Sequence, residues 1–320
     1  MINATVVVPT YNRRDLVLRA VENLVNQDYP ADLLEIIVVT DRCTDGTEAA
    51  LSARFGDRIL VIQSRNAGQS SALNTGIDRA RGEIVITLDD EMLAVPGFVA
   101  AHVREHDDNR AHHMTVTGYS PVALSREAAP LQRFVAAHYE QFHERLRDPK
   151  RVQGPLDVNP ANMSFRTSEI QSVGGFDESY LFQRNDIALG IRLIENGFTL
   201  GYSEEARADQ HPALDSEVIV NRAEPRAACD VRLARDHPWC IPFLPFGGRF
   251  APGPARRRWE VIWRGRHLIA PAVRAARKAA RENVALVNRD YGVRYAIAAI
   301  RAAGGWSEWQ KLGTLAREAT

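Results

Sequence analysis

Residues 86–93, ITLDDEML, place Asp89, Asp90 and Glu91 in a row directly behind an apolar run. Like charges that close repel one another and are costly to bury. Two readings fit the trio: a solvated strand end, or a set of hard oxygen ligands for a divalent cation such as Mg2+ or Mn2+. Three other polar segments also follow apolar runs: PTYN (9–12), TDRCTDG (40–46) and QSRNAG (63–68).

The elements that must hold these segments can be read from the pattern. ATVVVPT (4–10), EIIVVTD (35–41), RILVIQS (58–64) and GEIVITLDD (82–90) read as buried strands. Residues 13–27, DGTEAALSARF (45–55) and SALNTGIDRA (71–80) read as the helices between them; Leu16, Ala20, Leu24 and Val25 fall near helical spacing. Strands alternating with helices predict an α/β fold with a mostly parallel central sheet flanked by helices. Ligands bind such sheets beyond the carboxyl ends of the strands, where all four polar segments fall. Farther on, HVREHDDNRAHH (102–113) reads as a helix end and loop, 130–146 as an amphipathic helix, and 162–178 as a strand, a short helix and a Gly-Gly turn. DIALGIRLIENGF (186–198) reads as a helix with Leu189, Leu193 and Ile194 on one stripe and Gly197 as its stop. The Pro-rich stretch 237–258 is expected to separate the sheet region from an Arg-rich helical tail, 255–302.

Composition narrows the function classes. The 320 residues are 45% hydrophobic and 25% charged, ordinary for a globular protein. Cys43, Cys229 and Cys240 are too few and too scattered for a disulfide framework or a zinc site, so a reducing, cytoplasmic location is expected. No signal-peptide pattern opens the sequence, and no apolar stretch reaches the roughly 18 residues a membrane helix needs. Net charge is zero, yet Arg249 to Arg301 holds twelve Arg and one Lys against Glu260, Glu282 and Asp290, a local balance of +10. That asymmetry predicts two functional regions. No G-x-G-x-x-G follows the first strand, which disfavours a dinucleotide-dependent oxidoreductase. PTYNRRD lacks the glycines of a nucleotidyltransferase phosphate loop.

The ordered series of motifs resembles the family-2 glycosyltransferases, inverting nucleotide-sugar enzymes of the GT-A fold. The resemblance covers residues 4 to 211 and rests on VVVPTYNRRDLV, VTDRCTDGT, RNAGQSSALNTGIDRARGEIVITLDDE and NPANMSFRTSEIQSVGGFDESYLFQRNDIALGIRL. It implies a GT-A domain over 1–214, with a nucleotide-binding half (1–99) and an acceptor half (100–214). A Pro-rich connection and basic helical region, 215–320, would follow. It also implies a metal-dependent inverting transfer, of hexosyl or N-acetylhexosaminyl type, from a UDP- or dTDP-sugar to an acceptor hydroxyl or amine. The departing diphosphate gains negative charge, which Mn2+ or Mg2+ offsets.

Carried over residue by residue, the resemblance gives each polar segment a task. Asp89 and Glu91 stand as the first and last members of a DxD motif, with Asp90 between them. Glu91 is one methylene longer than the usual Asp, which leaves open whether Asp90 or Glu91 reaches the metal. His211, in ADQHP, matches a position where many relatives carry a histidine and joins Asp89 and Glu91 as a candidate ligand; an ordinary surface or core role also fits it. Asp41 would accept the imide N–H of uracil or thymine, or else tie off its own turn. Pro9, Thr10, Tyr11, Asn12 and Arg13 would hold the base and ribose. Asn66, Gly68 and Asn74 would shape the pocket beside the diphosphate, with Asp89 and Asp90 completing the donor site. Asp186 would deprotonate the acceptor, or else merely cap its helix.

The sequence departs from the family pattern at Thr40, Leu73, Glu91 and Asn185, so a non-catalytic sugar-nucleotide or glycan-binding module of the same fold is the alternative. Partners implied are a nucleotide-sugar donor and an acceptor of open class: small molecule, glycan, lipid or carrier-bound. The basic tail, with Trp259, Trp263, Trp306 and Trp309, fits a solvated face, an anionic membrane surface, an acidic partner or a homodimer contact. A position peripheral to the membrane therefore stays open. No recognition motif supports nucleic acid.

Overall fold

The computed structural model describes residues 2–110, 113–151, 153–180, 183–212, 215–250, 253–280 and 283–318. Two compact units result: Met1–Ala123 with His138–Pro212, and Leu124–Ala137 with Ala213–Thr320. Residues 124–137, expected in the acceptor half, therefore group with the second unit.

The first unit begins with strict alternation: β1 (Ala4–Thr10), α1 (Arg14–Val25), β2 (Leu34–Thr40), α2 (Thr47–Phe55), β3 (Leu60–Gln63), α3 (Gln69–Arg79) and β4 (Ile84–Leu88). It continues through β5 (Met92–Ala94), α4 (Phe98–Asp108), β6 (Met114–Gly118), the part of α5 (Pro130–Leu146) from His138 onward, β7 (Asn162–Arg166), α6 (Thr167–Ser172), α7 (Asn185–Glu195), β8 (Thr199–Ser203) and β9 (Ala208–Gln210). Seven strands form one sheet in the order β3-β2-β1-β4-β7-β6-β8, and β5 pairs with β9 in a second, small sheet. The pairs β1–β2, β1–β4, β2–β3 and β6–β8 are parallel. Strand β7 runs against both its neighbours. The expected α/β fold with a mostly parallel sheet is borne out.

The apolar runs are near-continuous because both sheet faces are covered. Val6, Val8, Ile36, Val38 and Ile86 pack on one side against Val17, Val21 and Leu24 of α1 and Phe98 and Val99 of α4. Val7, Ile37, Val39 and Val85 pack on the other against Leu73 and Ile77 of α3 and Leu189 and Leu193 of α7. Helix α3 lies so close to β1 that a Cβ on Gly76 would stand 2.3 Å from Val7 Cγ1. Pro9 sits within β1 opposite Val39, yet breaks no ladder, because β4 pairs with β1 only from Ala4 to Val7.

The helix end expected at the start of 102–113 is the second half of α4 (Phe98–Asp108), where His102 and His106 are buried. One sequence expectation needs correction. The Pro-rich stretch is not a separator. Helices α8 (Ser216–Asn221) and α9 (Ala223–Asp236) precede it, and Cys240, Ile241, Leu244 and Phe246 within it are buried in the second unit. That unit continues through α10 (Pro254–Arg264), α11 (Arg266–Ala279), α12 (Val284–Ala302) and α13 (Trp306–Glu318). Its core holds a run of aromatic rings, with Trp309 stacked on Trp259 and on Trp306 at 5.1 Å.

Candidate active site

The parallel register aligns Thr10 with Thr40 and Thr40 with Gln63, so the loops after β1, β2, β3 and β4 gather at one sheet edge. The loop after β1 is tied to the loop after β2. Asn12, at φ +51°, accepts the Thr44 N–H through Oδ1 (2.8 Å), and its own N–H points at Cys43 Sγ (3.3 Å). Tyr11 is left 61% exposed at this edge, available to a planar ring. Pro9, by contrast, is buried within the sheet and presents no surface to a ligand.

Asp41 follows β2. Its Oδ2 accepts the Gly68 N–H at 2.8 Å, and its Oδ1 lies 3.8 Å from the Arg42 guanidinium. Gly68 has φ +103° and ψ 153°, a region open only to glycine, which is what turns its N–H towards Asp41 at the start of α3. Asn66 and Asn74 point elsewhere. Both donate to Glu178, at 3.0 and 3.1 Å, and Asn74 also exchanges hydrogen bonds with the Phe176 backbone. Asn74 thus braces α3 to the turn at 174–178 and faces that turn.

The acidic trio is not a solvated strand end. Asp90 is buried, with Oδ2 accepting from Thr10 Oγ1 (2.7 Å) and Oδ1 from Arg13 Nη1 (3.0 Å). Glu91 accepts from the same Arg13 nitrogen (3.1 Å) and from Gln210 Nε2 (3.1 Å). Arg13 is therefore the cation between Asp90 and Glu91. Asp89 accepts only from Gln69 Nε2 (2.9 Å); its second oxygen has no donor among the described residues. Burial, then the charges of Asp90 and Glu91, push its pKa up to about 7, with Arg13 and Gln69 opposing.

Gln69 also receives a hydrogen bond from Asn185 Nδ2, at 3.5 Å. A polar chain therefore runs from Asp89 through Gln69 to the first turn of α7. Asp186 stands there with Oδ1 on the Ile187 N–H (2.8 Å), after Arg184 in a left-handed conformation (φ +65°). His211 is brought in by the small sheet. Met92 pairs with Gln210, and the His211 N–H donates to the Glu91 carbonyl at 3.0 Å. Sequence reasoning missed Gln69, Gln210 and Glu178. Gln69 had a signal, as the polar residue opening a helix directly after Gly68; Gln210 and Glu178 had none.

Among the described residues no three His, Cys, Asp or Glu side chains stand close enough together to hold a metal ion. The donor chemistry at Asp89 nevertheless fits a hard dication: a carboxylate oxygen without a donor, on a group whose charge is opposed by burial and by two neighbouring acids.

Comparison with known proteins gives one consistent result. The sequence model described as "Glycosyl transferase family 2" matches residues 5–170. Validoxylamine A glucosyltransferase of Streptomyces hygroscopicus subsp. jinggangensis is 27% identical over 271 residues, 75% of this chain and 62% of that protein. The GalNAc(5)-diNAcBac-PP-undecaprenol beta-1,3-glucosyltransferase of Campylobacter jejuni is 33% identical over 226 residues, 63% of this chain and 72% of the relative. The chain thus spans about three-fifths of the length of the first of these relatives, which is 62% covered. Among solved structures, the mannosyltransferase PcManGT from Pyrobaculum calidifontis, in complex with GDP-Man and Mn2+, has a TM-score of 0.62 at 22% identity, covering 93% of this chain and 85% of that one. S. aureus TarS 1-349 in complex with UDP has a TM-score of 0.55 at 16% identity, covering 100% and 92%.

Proposed function

The chain belongs to glycosyl transferase family 2, and on that footing we propose that it transfers a hexosyl or N-acetylhexosaminyl group from a UDP- or dTDP-sugar to an acceptor hydroxyl or amine, with inversion. The observation that carries this reading is the polar chain Asp89–Gln69–Asn185, which links the acidic trio to the turn bearing Asp186. A donor site and an acceptor base must be neighbours for one displacement, and this linkage joins the two.

Asp41 keeps acceptor capacity beyond its bond to Gly68 and takes the N3–H of uracil or thymine. Cytosine has an acceptor at that atom and is rejected. Tyr11 packs on the base or ribose. Asp89 and Glu91, with His211 as a candidate third ligand, would hold Mn2+ or Mg2+, which when bound offsets the charge that builds on the departing diphosphate. Arg13 adds a fixed positive charge beside Asp90 and Glu91. Asp186 takes the proton of the acceptor as its oxygen or nitrogen attacks the anomeric carbon opposite the leaving nucleotide. The new bond forms as the bond to the β-phosphate oxygen breaks, and the configuration inverts.

Asp186→Asn tests the base. Transfer should fall at least about 100-fold while nucleotide affinity stays within about twofold. Full activity of the variant excludes Asp186 as the base. A thermal-shift panel of UDP-, dTDP-, GDP- and CDP-sugars with Mn2+ tests the base specificity, since a ligand that binds the native state raises the midpoint. Guanine N1–H is also a donor, so a GDP-sugar is the informative competitor, and preference for a CDP-sugar would contradict the role of Asp41.

A further inference from the structure

We propose that α10 and α11 form a surface that lies on an anionic lipid bilayer. Helix α11 is arranged inside out. Its inward side carries Arg277, fully buried and paired with Asp290 (2.7 Å) and Glu217 (2.9 Å). Its outward side carries Leu268, 80% exposed, with Pro271, Ala272, Ala275 and Ala279 exposed along the same stripe at helical spacing. On α10 the outward residue is Val261, 62% exposed, while Trp259 and Ile262 turn inward. Leu268 and Val261 are the most exposed large aliphatic side chains among the described residues.

The charges around them have one sign. Arg257, Arg258 and Arg264 neighbour Val261 at helical spacing, and His267, Arg274 and Lys278 line one flank of the Leu268 stripe. Helix α11 has no acidic residue, and the acid of α10, Glu260, is taken by Arg264. Arg257, Arg258, Arg274 and Lys278 have no ion-pair partner among the described residues. At the junction Trp263 is half-buried under the Arg266 guanidinium, 4.3 Å from the ring centroid, a pair suited to the headgroup level.

An anionic bilayer satisfies both features at once. Leu268 and Val261 enter the acyl boundary while the guanidinium and ammonium groups reach lipid phosphates. A second copy of the same face would set cations against cations with no free acid to meet them. A nucleic acid would take the charges but leave the aliphatic tips in water. None of these residues takes part in the transfer chemistry, so the surface is tested independently of it.

The test is flotation of the full chain with phosphatidylcholine vesicles, with and without phosphatidylglycerol. The chain should float with the anionic vesicles, stay behind with the neutral ones, and be released by added salt. Val261→Glu with Leu268→Glu should lower the partition coefficient about tenfold or more, with an unchanged thermal midpoint because both sites face water. Arg274→Gln with Lys278→Gln should weaken binding and flatten its salt dependence without touching the aliphatic tips. Failure of the unmodified chain to float with anionic vesicles overturns the proposal. So does flotation of the double Glu variant equal to that of the unmodified chain. A dimer that the Glu pair dissociates, with no vesicle binding, assigns the face to a second copy and also overturns it.

Discussion

Asp89 carries the sharpest conflict in the molecule. It stands beside Asp90 and Glu91, Arg13 already serves both of those, and among the described residues only Gln69 donates to it. Its native pKa, raised to about 7 from 3.8, means that the folded chain keeps a proton which the unfolded chain releases. Metal-free stability therefore falls as pH rises through the window from about 4 to about 7. Asp89→Asn should remove that slope in a denaturant titration series. The same proton competes with a dication, so Mn2+ affinity should climb about fivefold between about pH 6 and about pH 7, then about twofold more before levelling off. Calorimetry measures it, and an affinity flat across that range would show that Asp89 is no ligand. Hydrogen bonding does not separate Asp90 from Glu91, since each oxygen of both side chains meets a protein donor.

At the scale of elements, α4 is pinned to β7 by imidazoles. His102 meets Ser164 and Asn162 at 2.9 Å through its two ring nitrogens, and His106 meets Ser164 at 2.9 Å. Burial lowers the pKa of His102 to about 4 and that of His106 to about 3, with His102 and Arg166 adding to the latter. Both native values lie below the ordinary 6.5, so the folded state binds fewer protons than the unfolded one. This contribution is complete above about pH 6.5 and is lost as pH falls towards about 3. His102→Gln should reduce the loss of stability in that window, read from urea midpoints; an unaltered acid slope would contradict the pinning. These same contacts explain what the pattern hid. The first four strands, of which β1, β2 and β4 are buried on both faces, are legible as apolar, largely β-branched runs. Strands β6, MTVTG, and β8, TLGYS, are not, because Thr, Gly and Ser look like loop residues. Strand β6 is buried throughout, and its Thr115 and Thr117 hydroxyls find the Ser164 and Asp157 carbonyls, partners distant in sequence.

For the whole molecule, the second unit was the least legible. Its Arg-rich composition suggests a solvated tail, but Arg277 and Asp290 are fully buried against each other and Arg294 shares Asp290 at 3.1 Å. Removing Asp290 leaves Arg277 only the partly exposed Glu217 and takes from Arg294 its bond at 3.1 Å, so Asp290→Ala should cost about 3 kcal/mol, measured by chemical unfolding. A cost below about 1 kcal/mol would mean that Glu217 alone suffices to hold the Arg277 charge. The loops and carboxylates of the candidate site were legible in the sequence. The residues that connect them were not, because a glutamine such as Gln69 acquires meaning only when the fold sets Asp89 and Asn185 on either side of it. The sheet order β1-β4-β7 carries a further consequence, for synthesis. Strand β4 is complete by Leu88, but the strand that covers its open edge spans Asn162–Arg166. A nascent chain must therefore carry an uncapped, largely apolar edge while more than seventy further residues are added, from 89 to 161. That interval on the ribosome is when the protein is most exposed to β-pairing with a neighbouring chain and most in need of a chaperone.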